Sequence, residues 1–421
     1  MKGPSRHNHD ERVVVTGMGL LSPLGLDVES TWQALIAGEC GVGVVESFDT
    51  SSLTVKIAAQ VKGFDPSRSM DAREARRLSP FIQFALDATE QAIADAGLDF
   101  SREDPTRAGV EIGSALGGVD VTEGARHTLD TKGPRAINPT LLPAILVNTP
   151  ACAVAIRHGI KGPITASVAA CATGVISVGE AAHRVARGEV DVILAGAADS
   201  VMTELAIVVF SRLGALSARN ATPARACAPF DANREGTVVG EGSGILALES
   251  LSHARRRGAH ILAEIAGYGL TCDAHHLVIP DPTGASAARA MSMALTEAGL
   301  PPNEVDWVCA HGTATLLNDA AETEAIKLAL GDHAYRVPVS SLKGSIGHML
   351  GAAGVASAVA AVKAIECGTI PPTLNYETPD PKCDLDYVPN VARRADVRTV
   401  ILNGFGFGGQ NASLIVRRWE D

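Results

Sequence analysis

Twice along its length the chain runs through the same alternation of short β-branched strands and helix-periodic segments. The first round opens with a strand at residues 12–16 (RVVVT), a turn (GMGLLSPLG) and a helix (DVESTWQALIAG). A helix over residues 80–97 follows, stopped by its glycine. Buried strands GVEIGSA and VDVILAGAADS come next, then a strand running into a basic helix (ILALESLSHARRRG) that Gly258 closes. The second round reads AEIAGYGL strand, ASAARAMSMALTEAGL helix, VDWVCAHG strand, AAETEAIKLALG helix, VPVSS strand and GAAGVASAVAAVKAIECG helix. TVILNGFGFGGQNASLIVRR closes it as a hairpin. This alternation predicts an α/β protein with a mostly parallel sheet covered on both faces. The repetition predicts two similar halves, residues 12–257 and 258–421. No long polar linker separates them, so they are expected to pack as one body. Residues 1–11 read as a short mobile tail.

Composition narrows the function classes. With 421 residues, 46% hydrophobic and 20% charged, the chain can bury a large core and is neither disordered nor a disulfide scaffold. A net charge of −11 argues against nucleic acid as a partner. The eight cysteines form no CxxC pair and no Cys/His cluster with zinc-ligand spacing, so reduced thiols in a cytoplasmic protein without a metal are expected. No uncharged apolar run reaches the roughly 18 residues of a membrane span. The opening MKGPSRHNHDER lacks the apolar stretch of a signal peptide.

Four constellations carry chemistry. In PITASVAACATGVIS, Cys171 stands at a sharp strand-to-helix turn among small neighbours that leave room for a thioester. A helix N-terminus there favours the thiolate. In WVCAHGTATLLNDAAETEAI, His311 follows a strand end, where ligands bind in α/β sheets. Thr313 and Thr315 behind it can hydrogen-bond an amide-bearing arm, and Asp319 and Glu322 lie in the following loop or first turn. In VPVSSLKGSIGHMLGAAG, Lys343 and His348 lie five apart across a glycine turn, a charge and a hydrogen-bond donor for a developing oxyanion. NGFGFGGQN, residues 403–411, reads as a loop that approaches a ligand or swings, because glycines weaken a strand interior. The adjacent pair His275 and His276 reads as loop histidines rather than metal ligands.

Taken in order, Cys, His-Gly-Thr, Lys-x4-His and Gly-Phe-Gly-Gly resemble the β-ketoacyl-acyl carrier protein synthases. The synthase II type and the ketosynthases of type II polyketide pathways are the nearest in look. The stretches VVVTGMGLLSPLG, PFDANREGTVVGEGSG and PPTLNYETPDPKCDLDYVP match as well, and the resemblance spans residues 12–418. It implies a thiolase-like fold: two duplicated βαβαβαββ halves, an N-terminal one carrying the nucleophile and a C-terminal one carrying the histidines and a gating loop. The halves form a five-layered α-β-α-β-α body, normally a dimer. It implies a decarboxylative Claisen condensation of an acyl thioester with malonyl-acyl carrier protein. Cys171 would be the nucleophile and the amides of Cys171 and Phe407 the oxyanion hole. His311 and His348 would stabilise the enolate, and Lys343 with Glu322 would form a supporting ion pair. Thr313 and Thr315 match positions that hold pantetheine, and Phe407 matches the gate. Leu116, and Phe210 beside it, would line the acyl tunnel. Arg73, Arg76 and Arg77 match a basic docking surface for acyl carrier protein. No cofactor is implied beyond the phosphopantetheine that the carrier brings.

The sequence departs from the family pattern at three places. Val278 stands where a threonine is usual, Gln410 replaces a common threonine, and KGSIGH replaces KSMTGH. These lean towards a specialised polyketide or polyene pathway over housekeeping fatty-acid elongation. A thiolase would show a second catalytic cysteine near the C-terminus, but Cys383 lies in a Pro/Asp-rich loop. A chain-initiating type III synthase would show asparagine in place of His348. A non-catalytic chain-length factor would lack Cys171, although such a homologue remains a candidate dimer partner beside a second copy of this chain.

Overall fold

The computed structural model describes residues 11–420, so the expected tail over residues 1–11 falls, but for one residue, outside the described residues. Ten strands build one sheet: β1 (Val13–Leu21), β2 (Ala108–Gly113), β3 (Ile164–Thr165), β4 (Val192–Asp199), β5 (Gly242–Ser250), β6 (Ala263–Cys272), β7 (Trp307–Cys309), β8 (Val339–Ser340), β9 (Thr399–Gly406) and β10 (Gln410–Arg417). Their order is β8-β7-β9-β10-β6-β1-β5-β4-β2-β3. Counted outward from the middle, both five-strand runs follow one rule: first, fifth, fourth, second, third. The runs meet where Val13–Val15 of β1 pairs antiparallel with Ala263–Ile265 of β6.

The sheet is mixed, which corrects the expectation of a mostly parallel one. β1, β4, β5, β6, β9 and β10 pair antiparallel through the centre, and only the wings, β4/β2/β3 and β9/β7/β8, are parallel. The reason is visible in the connections. β9 and β10 are joined by three residues, a link open only to antiparallel partners, because parallel strands need a crossover.

Five long helices complete the layers: α1 (Pro80–Ala96), α2 (Thr173–Ala186), α3 (Ala285–Ala298), α4 (Leu316–Leu330) and α5 (Ala352–Cys367). α1 covers β1 and β5 from outside, and α3, backed by α4, covers β6 and β10. α2 and α5 lie between the two runs and touch both. The result is the α-β-α-β-α stack. A middle helix has no solvent face, and α5 accordingly buries every residue from Ala352 to Ile365. Small residues let the two middle helices meet backbone to backbone. A Cβ on Gly174 would stand 2.4 Å from the Gly351 carbonyl oxygen, and one on Gly354 would stand 2.7 Å from the Val175 nitrogen. This contact fixes how far apart the N-terminal ends of α2 and α5 sit, and both ends carry chemistry.

Candidate active site

The expected ITASV strand is shorter than read. Only Ile164–Thr165 pairs with the sheet, and the chain then turns through a single 3-10 turn, Ala170–Ala172, into α2. Cys171 is the middle residue of that turn. Ala170 before it is held at φ 46°, a left-handed conformation that costs an L residue about 1–3 kcal/mol. Thr173 secures the turn, accepting from the Ala169 amide at 2.9 Å and donating to the Ala170 carbonyl at 2.7 Å. Cys171 keeps some accessible surface. Its enclosure nevertheless pushes the thiol up to about 12, with Lys343 opposing and Asp199 adding to the effect. The resting group is therefore the thiol, and the positive end of α2 lowers the cost of the thiolate at the moment of attack.

Two histidines from the second run face this turn. His311 leaves the end of β7. His348 sits between the short helix Lys343–Ile346 and α5, its amide donating to Val238 at 2.7 Å. Their rings meet edge to face with centroids 5.5 Å apart, and Phe405 lies 5.5 Å from His311 on another side. Burial holds both imidazoles well below their ordinary range, and Lys343 pushes them further down. Both are thus uncharged, able to donate one hydrogen bond without bringing a charge of their own.

Lys343 and Glu322 are both buried, but they do not form the direct ion pair that the family resemblance implies. Instead they grip the same residue from two sides. Lys343 Nζ donates to the His311 carbonyl. Glu322 accepts from the His311 and Gly312 amides, each at 2.7 Å, and from Asn403 Nδ2 at 3.1 Å. The backbone of His311 stands between the two charges because the turn after β7 needs both an acceptor and a donor. Asn403 was missed by sequence reasoning. Its only signal was its place in the NGFGFGGQN stretch.

That stretch also differs from its reading as a loop. Phe405 pairs with Asn411 and Gly406 with Gln410, so β9 and β10 run on to a turn of Phe407–Gly409. The glycines serve close approach instead of slackness. A Cβ on Gly404 would meet Val175 Cγ2 at 2.7 Å, and one on Gly406 would meet the Ala169 carbonyl at 2.5 Å. The turn is tied to a neighbouring loop: the Gly408 amide donates to Leu277 at 2.7 Å and Asn411 to Asp273 at 2.6 Å.

Cys171, His311, His348, Thr313, Thr315, Phe210 and Phe407 all line one cavity of about 350 Å³. The Thr313 and Thr315 hydroxyls lie 2.9 Å apart. Val278 is at the same cavity. Leu116 is not, and this corrects its grouping with Phe210. It lines a separate cavity of about 580 Å³ with Val119, Thr122 and Leu205. The cause is Asp199, a buried acid raised to about 6, which holds the Ala115 and Leu116 amides and turns that segment away. Arg73, Arg76 and Arg77 are exposed, and none of their side chains is in an ion pair among the described residues. His276 Nδ1 accepts from the Val278 and Ile279 amides, a turn cap as its loop reading expected.

The N-terminal domain of the beta-ketoacyl synthase family matches residues 10–254 and its C-terminal domain matches residues 262–377. The chain belongs to the beta-ketoacyl synthase family. It is 44% identical over 410 residues to a 3-oxoacyl-[acyl-carrier-protein] synthase 2 of Coxiella burnetii, covering 97% of this chain and 99% of that one. Among solved structures, the ishigamide ketosynthase/chain length factor superposes with a TM-score of 0.91 at 37% identity, over 98% of this chain and all of the other. A type II polyketide ketosynthase bound to the hexaketide, in complex with its acyl-carrier protein, gives 0.90 at 35% identity, again over 98% of this chain and 100% of that one. This synthase is therefore an acyltransferase with a thiolase-like fold. No helix among its described residues is long and apolar enough to cross a membrane.

Proposed function

We propose that this synthase extends an acyl chain by decarboxylative condensation with malonyl-acyl carrier protein, using Cys171, His311 and His348. One observation carries the reading: a helix-terminal thiol and two uncharged imidazoles line a single cavity. Cys171 sulfur attacks the carbonyl of an acyl-carrier thioester. The new C–S bond replaces the old one, and the carrier thiol leaves with the proton from Cys171. The Cys171 and Phe407 amides take the oxyanion. Malonyl-carrier then enters with its pantetheine arm against Thr313 and Thr315. Its C–C bond to the carboxylate breaks, CO2 departs, and His311 and His348 donate hydrogen bonds to the enolate oxygen. The enolate carbon attacks the acyl carbonyl, the C–S bond to Cys171 breaks, and the sulfur leaves as the thiolate and takes one proton from solvent. Each lost donor costs about 10²–10³ in rate. Lys343 and Glu322 position His311, Phe407 gates, and Phe210 contacts the acyl chain.

The carrier docks on Arg73, Arg76 and Arg77 in the cytoplasm. We place a dimer partner on the open edge strand β3, with Ile156 and Val168 exposed on either side of it in the chain. We divide the chain into halves at residues 257 and 258. The 44% identity to the 3-oxoacyl-[acyl-carrier-protein] synthase 2 supports fatty-acid-type elongation, which we assign to a homodimer of this chain. A heterodimeric polyketide ketosynthase is the second reading, favoured by apolar Val278 at the cavity.

The test is to express the chain alone, measure its mass in solution, and follow acyl- and malonyl-carrier by intact-protein mass spectrometry. Acylation at Cys171, absent in Cys171→Ala, with chain extension by a homodimer is expected. A chain that works only with a co-expressed homologue selects the second reading, and condensation by Cys171→Ala overturns both.

A further inference from the structure

Two of the stretches that carry the family likeness, PFDANREGTVVGEGSG and PPTLNYETPDPKCDLDYVP, supply no reacting group to the chemistry above, although Val238 of the first holds the His348 amide. The structure joins them behind the loop that bears Thr313 and Thr315. At the junction lies Arg234, its side chain 1% exposed. Its Nη1 donates to Asp380 Oδ2 at 2.6 Å and to the Asp231 carbonyl at 2.8 Å. Its Nε donates to the Thr315 carbonyl and its Nη2 to the Leu316 carbonyl, each at 3.2 Å. Asp319 lies 3.7 Å from Nε and is fully buried. That carboxylate also accepts from the Phe230 amide at 2.8 Å and lies 3.5 Å from the Thr313 hydroxyl. Asp231 in turn holds the Glu377 and Thr378 amides at 2.6 Å.

One planar fork thus ties two acids and three carbonyls into a single platform. Only a guanidinium offers donors in that spread, since an ammonium is a point charge. Thr313, Thr315 and Leu316 line the cavity, whereas Arg234 does not. Between the two threonines, Ala314 is held at φ 65°. A strained loop keeps such a shape only when its surroundings over-determine it, and Arg234 with Asp319 supplies that constraint.

We propose that Arg234 is a positioning residue for the carrier-borne substrate, setting the height of the Thr313–Leu316 loop so that both hydroxyls meet the arm. This rests on the condensation reading above. Arg234 reaches the reaction only through that loop, so its loss weakens binding of the arm and leaves the nucleophile as it was.

The experiment uses the full chain. Acyl transfer from acyl-acyl carrier protein to Cys171 is followed by intact mass, and alkylation of Cys171 by iodoacetamide serves as a probe that needs no arm. For Arg234→Lys the half-saturating carrier concentration should rise about 5- to 10-fold, the scale of one lost hydrogen bond. Maximal transfer and the alkylation rate should stay within about 2-fold, the pattern of lost uniform binding. Thr313→Val should give a similar rise, and the double variant no more than either alone, because coupled residues are not additive. An unchanged half-saturation, effects that multiply, or alkylation falling in parallel would each overturn the proposal. Asp319→Asn carries the same expectations should Arg234→Lys fail to fold. If neither folds, Arg234 is a folding residue and the proposal is wrong. Failure of the unmodified chain to transfer acyl groups at all would instead sink the condensation reading.

Discussion

Replacing Lys343 with methionine removes a buried cation that two imidazoles and one carboxylate feel at once. Lys343 and Glu322 hold His311 by its carbonyl and its amide respectively. Their side chains belong to residues only 4% and 1% exposed. Removing one member of such an opposed buried pair costs about 3–5 kcal/mol, because the other charge is left uncompensated. Unfolding entropy runs at about 2.1 cal/mol/K per residue, so a chain this long loses roughly 1 °C of melting temperature per 0.9 kcal/mol. The expected drop is about 3–6 °C for a single cooperative transition. Chemistry should change in a distinct way. Lys343 holds both imidazoles down, so its loss lets their values rise. The uncharged form is then lost at a higher pH, and the acid limb of malonyl decarboxylation moves upward. The assay is CO2 release from malonyl-carrier between pH 5 and 8, beside calorimetry on the same samples. The double variant Lys343→Met/Glu322→Gln should regain more than half of the lost stability while decarboxylation stays low. An acid limb that does not move, together with melting losses that simply add, would refute the account of compensating charges.

Three further outcomes can be checked. Gly174→Val forces α2 away from the Gly351 carbonyl, which a Cβ would meet at 2.4 Å; calorimetry should show a loss of about 3 kcal/mol and intact mass a loss of Cys171 acylation. His253 bonds Glu249 at 2.5 Å and Glu103 at 2.9 Å, and both partners raise its affinity for a proton. His253→Gln should therefore cost about 1.5–3 kcal/mol at pH 6 and progressively less as pH climbs through the raised folded value; a gap constant to pH 9 would contradict this. Changing Arg73, Arg76 and Arg77 together to glutamate should raise KM for acyl carrier protein about 10-fold at low salt, with the difference narrowing at 0.5 M salt.

The grouping of Cys171, His311 and His348 was legible because Cys171 and His311 stand between a strand and a helix and His348 between a short helix and α5, each among small residues that leave a local imprint. The five layers came through the family resemblance, since alternation alone suggests a parallel sheet and misses the antiparallel centre. Strand direction depends on long connections that carry no periodic signal. Glycine was ambiguous for the same reason. Gly404 and Gly406 read as slack, yet they are strand residues pressed against α2 and the Cys171 turn. Arg234, Asp199 and Asn403 stayed hidden because their partners lie tens to more than a hundred residues away in the chain. Leu116 was misplaced because Asp199, its anchor, is likewise remote.

The two five-strand runs use one strand order, and each ends its contribution at the head of a middle helix. Cys171 opens α2 and His348 precedes α5, so neither run holds a complete set of reacting groups. With the roles proposed for these residues, the reaction exists only at their seam. Warming that loosens the seam by a fraction of an ångström would separate sulfur from imidazole while every strand remains paired. Such a catalyst is expected to lose turnover some degrees before it melts, and to recover it on cooling.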